Sequence, residues 1–137
     1  MVLRVEEINV GCVSYLDGDG LLADQRVANG DHGKIGQRRP FVCIRVSGEA
    51  CDWMLLTSQQ NPRRIDLDNW KVPGSSHWMK TKQYLHDARK IFSGPKLAFT
   101  DASAQEINPS PHPRPSISSG GITKIIAEVL KYHTEWQ

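Results

Sequence analysis

The side chains with the strongest chemical implication are a basic pair and a hydroxyl pair at the two ends of an apolar hairpin. Arg38-Arg39-Pro40 opens the run Phe41-Val42-Cys43-Ile44-Arg45-Val46, and Thr57-Ser58-Gln59 closes the run that begins at Asp52-Trp53. Pro40 has no amide donor and belongs at a strand start or a sheet edge. The β-branched, apolar run after it reads as a buried strand, and Ser47-Gly48-Glu49-Ala50 as the turn to its partner. In an antiparallel hairpin the start of one strand lies beside the end of the other. Arg39 and Thr57 are therefore expected at the same end of the sheet. A guanidinium beside two hydroxyls offers what a phosphate needs: charge, a forked donor set and short hydrogen-bonding groups. In the competing reading, Arg39 caps carbonyls at the sheet edge and Thr57 is an ordinary strand residue.

The elements that must hold this pair are short. Gly11–Leu16 reads as a first strand of mixed alternation, ended by the turn signal Asp17-Gly18-Asp19-Gly20. That signal is no calcium loop, because its twelfth position is Ala28 and not a glutamate. Residues 17–37 read as a long polar loop with a short helical turn at Leu21-Leu22-Ala23. Beyond the hairpin, the spacing predicts strands at Arg64–Leu67, His77–Lys82 and Lys96–Thr100, and a helix over Gln83–Phe92. Prolines at 109, 111, 113 and 115 make residues 105–118 an extended, proline-rich connector. Ile122, Ile125, Ile126, Val129 and Leu130 follow the i, i+3, i+4, i+7, i+8 stripe of an amphipathic helix over residues 121–134. Short strands, turn signals and one such stripe predict a mainly β, barrel-like single domain over 1–137, with that helix packed across it.

Length and composition agree. A chain of 137 residues is of single-domain size, and a mean hydropathy of −0.46, with no long apolar run, excludes a membrane-embedded protein. The start, MVLRVEEINV, lacks the apolar core of a signal peptide. Three cysteines without CxxC spacing point to reduced thiols in the cytoplasm and to no structural zinc. Charge is unevenly spread. Residues 1–31 hold six acidic and two basic side chains (−4), residues 32–100 twelve basic and five acidic (+7), and residues 101–137 three basic and four acidic (−1). A basic middle is the footprint of a protein that meets phosphates.

Three pieces, in order, resemble the MazF/PemK (Kid) toxins of type II toxin–antitoxin systems. Gly11-Cys12-Val13-Ser14-Tyr15 is similar to that family's glycine-led first strand. Gly36-Gln37-Arg38-Arg39-Pro40-Phe41-Val42-Cys43-Ile44 resembles its Gly-x-Arg-Pro run, with one residue added before the Arg-Pro pair. Leu55-Leu56-Thr57-Ser58-Gln59 resembles the strand that ends in Thr-Thr or Thr-Ser. The likeness covers roughly residues 8–60, and the loop before Arg39 is longer than is usual in the family. It implies a small SH3-like β-barrel with appended helices, a cytoplasmic homodimer, an antitoxin protein as partner, and cleavage of single-stranded RNA without a metal or other cofactor to leave a 2′,3′-cyclic phosphate. The family's catalytic arginine and threonine map onto Arg39 and Thr57, with Ser58 adjacent.

Attack by a ribose 2′-hydroxyl on its neighbouring phosphate needs positioning, charge stabilisation and proton transfer. Arg39 can neutralise the developing charge, but with a pKa above ~12 it is a poor base. The candidate bases are His32, in the loop before Arg39, then Asp31, His77 and His86. Arg38 and Gln59, which flank the central pair, and Arg63, Arg64 and Trp70 in the basic region are the expected substrate contacts. Trp70, between Asn69 and Lys71, is the tryptophan expected at the surface, where it could stack on an unpaired base, whereas Trp53 is expected in the core. The rival to an endoribonuclease is a non-catalytic SH3-like barrel that binds nucleic acid or a protein partner. A third reading makes the hairpin likeness accidental.

Overall fold

The structure is a computed structural model that describes residues 2–72, 76–104, 106 and 114–136. It is mainly β, with four short helices around an antiparallel sheet. In chain order the elements are β1 (Val13–Leu16), α1 (Gly18–Ala23), β2 (Arg39–Ser47), β3 (Ala50–Thr57), β4 (Lys71–Val72), α2 (Ser76–Lys80), β5 (Tyr84–Leu85), β6 (Phe92–Pro95), α3 (Lys96–Ala102), β7 (Ser116–Ile117) and α4 (Ser119–Val129). The sheet runs β1-β2-β3, and β3 then takes two partners along its length, β6 against its first half and β5 against its last residues.

The β2–β3 hairpin forms as expected, turning at Gly48 with φ +60°. Its side chains alternate between two apolar clusters. Phe41, Cys43, Trp53 and Leu55 pack on one face with Leu16, Leu21, Phe92 and Phe99. Val42, Ile44, Met54 and Leu56 pack on the other with Val13, Trp78, Ile122, Ile125 and Val129. A strand pair buried on both faces must be apolar at nearly every position, which is why its sequence runs unbroken. α1 and α3 cover the first face, and α4 covers the second with the stripe the sequence marks. Trp53 is fully buried, stacked on Phe99 at 5.5 Å between ring centroids.

The named strands form an open sheet. Further hydrogen bonds extend both edges. Beside β1, Val13 N donates to Pro115 O and Ile117 N to Gly11 O. Gly11 has φ +96°, and a Cβ there would lie 2.5 Å from the Ile117 carbonyl oxygen, so only glycine fits this approach. Beside β5, Leu85 N donates to Ile65 O and Leu67 N to Gln83 O. β7 pairs with β4 as a separate two-stranded sheet.

Several short elements differ from expectation. Asp17-Gly18-Asp19-Gly20 opens a helix, because the Asp17 carboxylate caps it by accepting from Gly20 N. The segment 17–37 is thus helix first, then a loop. That loop is pinned by the Asp19 carboxylate, which accepts from Ile35 N and Gly36 N at 3.0 Å each. Residues 64–67 form only an isolated bridge, Asp66 to Tyr84. The segment 77–82 is helical as α2 up to Lys80, and 96–102 is helical as α3, where Ala98, Phe99 and Ala102 make the inward face. Gln83–Phe92 is no helix. Tyr84-Leu85 pair with the last two residues of β3 and Phe92 with Trp53 at its middle, and an Asp87 turn joins them through Arg89 N to Asp87 Oδ1. Strand, turn and strand here reproduce helical spacing, an ambiguity inherent in short apolar runs. The C-terminal helix spans Ser119–Val129, with a separate 3-10 turn at Thr134–Trp136. Most of the proline-rich connector lies outside the described residues, which resume at Arg114. Among the described residues no helix is long and apolar enough to cross a membrane.

Candidate active site

Arg39 is the first residue of β2 and pairs with Leu16 of β1. On its other side the register Phe41↔Leu55, continued by two residues, sets Arg39 opposite Thr57. Both therefore belong to the same end of the sheet. Arg38, Arg39, Thr57, Ser58, Gln59 and Gln83 line one concavity of about 290 Å³. Thr57 is buried, and its Oγ1 accepts from Gln59 N at 3.2 Å, which folds the chain back over the strand end. Among the described residues, neither Arg38 nor Arg39 has a carboxylate in ion-pair reach. The edge-capping reading of Arg39 is thereby replaced by an unpaired guanidinium facing an open hollow. Gln83 is 1% exposed, and its Oε1 accepts no hydrogen bond. A buried acceptor left without a partner is costly in an empty site and useful in an occupied one.

The backbone is strained beside both groups that matter. Arg38 has φ +52° and Asp31 φ +62°, and these are the only described non-glycine residues in the left-handed region. Each sits immediately before a candidate catalytic residue, Arg39 and His32. Such a conformation costs about 1–2 kcal/mol per residue and persists where the surroundings enforce it. Here the enforcement comes from the Asp19 tether behind Arg38 and from the Lys90 ammonium, which donates to Asp31 O at 3.0 Å.

His32 does not line the hollow with Arg39 and Thr57. It packs against His86 and Phe92, with ring centroids 5.1 and 5.6 Å away. Its Nδ1 lies 2.9 Å from Gly33 O. A carbonyl only accepts, so Nδ1 carries the proton and the neutral ring's lone pair is on Nε2. That Nε2 is buried and without a partner, as is Nδ1 of His86. Burial lowers the pKa of His86, and the guanidiniums of Arg64 and Arg39 add to the effect, while Asp87 opposes it. The structure thus brings together His32, His86 and Arg39, a grouping that sequence separation hides. The His77 side chain lies outside the described residues, and Asp31 is an exposed residue of the strained turn.

The remaining expected contacts divide. Arg64 reaches back to the site, donating from Nη1 to Gln59 O and from Nε to His86 O. Arg63 and Arg64 line a second hollow of about 430 Å³ that also includes His86. Trp70 is not an open stacking surface. It is half-buried against α4, where Gly120 and Gly121 approach it, and Lys124 covers its ring at 4.7 Å. Among the described residues no group of three or more His, Cys, Asp or Glu side chains could hold a metal ion. The three cysteines are free and buried, and burial pushes the Cys12 thiol up to about 12.

No family model, curated protein or solved structure matches the chain.

Proposed function

We propose that this protein is a metal-independent endoribonuclease of the MazF/PemK type that cleaves single-stranded RNA. The observation that carries the proposal is the pairing of unpaired Arg39 with Thr57 across one hollow at the end of the β2–β3 hairpin. In the proposed reaction the ribose 2′-oxygen bonds to the adjacent phosphorus and the bond to the 5′-oxygen breaks, leaving a 2′,3′-cyclic phosphate and a 5′-hydroxyl. Arg39 neutralises charge on the non-bridging oxygens, and the Thr57 and Ser58 hydroxyls orient them. Arg38 and Gln59 hold the flanking backbone. Neither His32 nor His86 lines this hollow, so the 2′-hydroxyl proton passes by way of solvent to the leaving 5′-oxygen, which becomes the 5′-hydroxyl.

The hydrogen bonds that extend both sheet edges favour completion as an SH3-like barrel. The same proposal includes a cytoplasmic homodimer and an antitoxin protein as its partner. The test is cleavage of a single-stranded RNA with EDTA present, compared between wild type and Arg39→Ala. Wild-type cleavage that the substitution abolishes supports the proposal. Binding of RNA with no cleavage by either protein would leave a non-catalytic nucleic-acid-binding domain instead.

A further inference from the structure

The hollow of about 430 Å³ beside the candidate site has a charge balance that selects its ligand. Its two carboxylates are already neutralised. Asp87 is gripped by Arg89 through two hydrogen bonds of 3.0 and 3.1 Å, and Glu128 by Lys131 at 2.7 Å. Two guanidiniums remain without a carboxylate. Arg64 is held in place by the carbonyls of Gln59 and His86, and Arg63 is exposed, with no side-chain partner among the described residues. A hollow with surplus positive charge and no free carboxylate disfavours a cation and suits an anion. Its size falls within the ~300–1,000 Å³ of small-ligand sites.

The wall also carries Tyr132, 55% exposed, one of the few large apolar side chains left in solvent. An aromatic face beside arginines is the combination that holds single-stranded nucleic acid, the ring stacking a base while the cations hold its phosphate. An acidic peptide needs the charge but not the ring. Continuity gives the direction. Arg64 joins the two hollows, since the carbonyls it holds belong to Gln59 of one and His86 of the other.

We infer that this hollow is a subsite for one further nucleotide of a single-stranded RNA, with Arg63 and Arg64 on its phosphate and Tyr132 stacked on its base. The inference rests on the ribonuclease reading and extends it: the substrate is recognised beyond the scissile phosphate, and Tyr132 takes the stacking role that Trp70 does not fill.

The test uses 2′-O-methyl RNA, which lacks the attacking hydroxyl, so that binding is read without cleavage. Affinities of a dinucleotide and a hexanucleotide are measured for wild type, Arg63→Ala, Tyr132→Ala and Tyr132→Phe, with thermal melting to confirm folding. Tyr132→Ala is expected to weaken the hexanucleotide roughly tenfold and the dinucleotide much less, while Tyr132→Phe retains affinity. Arg63→Ala is expected to lower the slope of log K against log salt by about 0.7, the loss of one phosphate contact on a single strand. Equal losses for both lengths, or none, in a protein whose wild type cleaves RNA would overturn the subsite and leave the catalytic reading intact. Arg63-dependent binding of a polyglutamate peptide, with no such dependence for the hexanucleotide, would overturn it in favour of a protein ligand. A wild type that neither binds nor cleaves RNA would remove both.

Discussion

In the proposed reaction Arg39 takes up the charge of the developing phosphorane, and no carboxylate among the described residues competes for it. Arg39→Ala is expected to lower the cleavage rate a hundredfold or more while leaving the melting temperature nearly unchanged, since one positioned charge contact typically contributes ~3–4 kcal/mol to a transition state. Thr57→Ala is expected to cost less, because Ser58 is adjacent. Single-turnover cleavage checks both, and an Arg39→Ala rate equal to wild type would refute the assignment. His86 gives a separate signature. Its folded-state pKa lies below the ordinary histidine value, so protonation favours the unfolded chain. Stability is therefore fully present above pH ~6.5 and falls as pH drops through the ordinary value toward the lowered one. The carboxylates held low by partners, such as Asp24 and Asp87, lose their contribution only in the more acidic carboxylate range. Urea midpoints at pH 7.5 and 5.5 should differ in wild type and differ less in His86→Gln.

At the scale of elements, α1 acts as the anchor of the loop that leads into Arg39. Asp19 holds the amides of Ile35 and Gly36, and those two hydrogen bonds keep its carboxyl below the usual range. Asp19→Ala should speed amide exchange at Ile35 and Gly36 and reduce cleavage, because the turn that aims Arg38 and Arg39 loses its tether. Unchanged exchange at both amides would show that the loop is held by other means. α4 docks through glycine. A Cβ on Gly121 would lie 2.5 Å from Ile117 Cγ2 and 2.6 Å from Trp70 Cβ. Gly121→Ala should therefore destabilise by about 1–3 kcal/mol, as overpacking does, despite alanine's better helix propensity. Denaturant titration measures the sign. The hairpin and α4 were legible in the sequence because each is long enough for its periodicity to be unambiguous. The segments 77–82, 83–92 and 96–100 were misassigned because elements of two to seven residues have no period to read. Their form was set by the β3 edge and the apolar faces they had to cover.

At the scale of the whole molecule, a buried ionic knot ties Glu7 and β1 to Glu106 and Arg114 of the proline-rich connector. Glu106, with a side chain 2% exposed, accepts from Ser14 Oγ, Tyr15 N and Arg114 Nη1, and Arg114 also reaches Glu7. Burial works against the Arg114 charge, and Glu106 and Glu7 more than offset it, holding its pKa above the ordinary value. Glu106→Ala leaves a buried guanidinium with Glu7 as its one carboxylate beside the Ser14 hydroxyl, and a loss of about 3 kcal/mol is expected. Thermal melting checks it, and a loss well under 1 kcal/mol would mean that water already solvates the knot. The proposed homodimer is tested by sedimentation at tens of micromolar, a concentration at which an interface of ordinary size holds.

By itself the sequence determined the hairpin, its two-faced apolar alternation, the end of the sheet that Arg39 and Thr57 share, and the stripe that buries α4. These follow from local rules: alternation in strands, the 3.6-residue turn of helices, and the missing amide of proline. Only the tertiary structure decided which histidines meet. His32 and His86 are far apart in sequence, and nothing in their spacing predicts ring centroids 5.1 Å apart. The tertiary structure also decided that Trp70 is covered while Tyr132 is open, because exposure depends on where α4 comes to rest. Likewise it set the left-handed turn at Arg38, which no propensity favours and which the Asp19 tether imposes. Local chemistry writes the elements, whereas contacts between distant segments assemble the site.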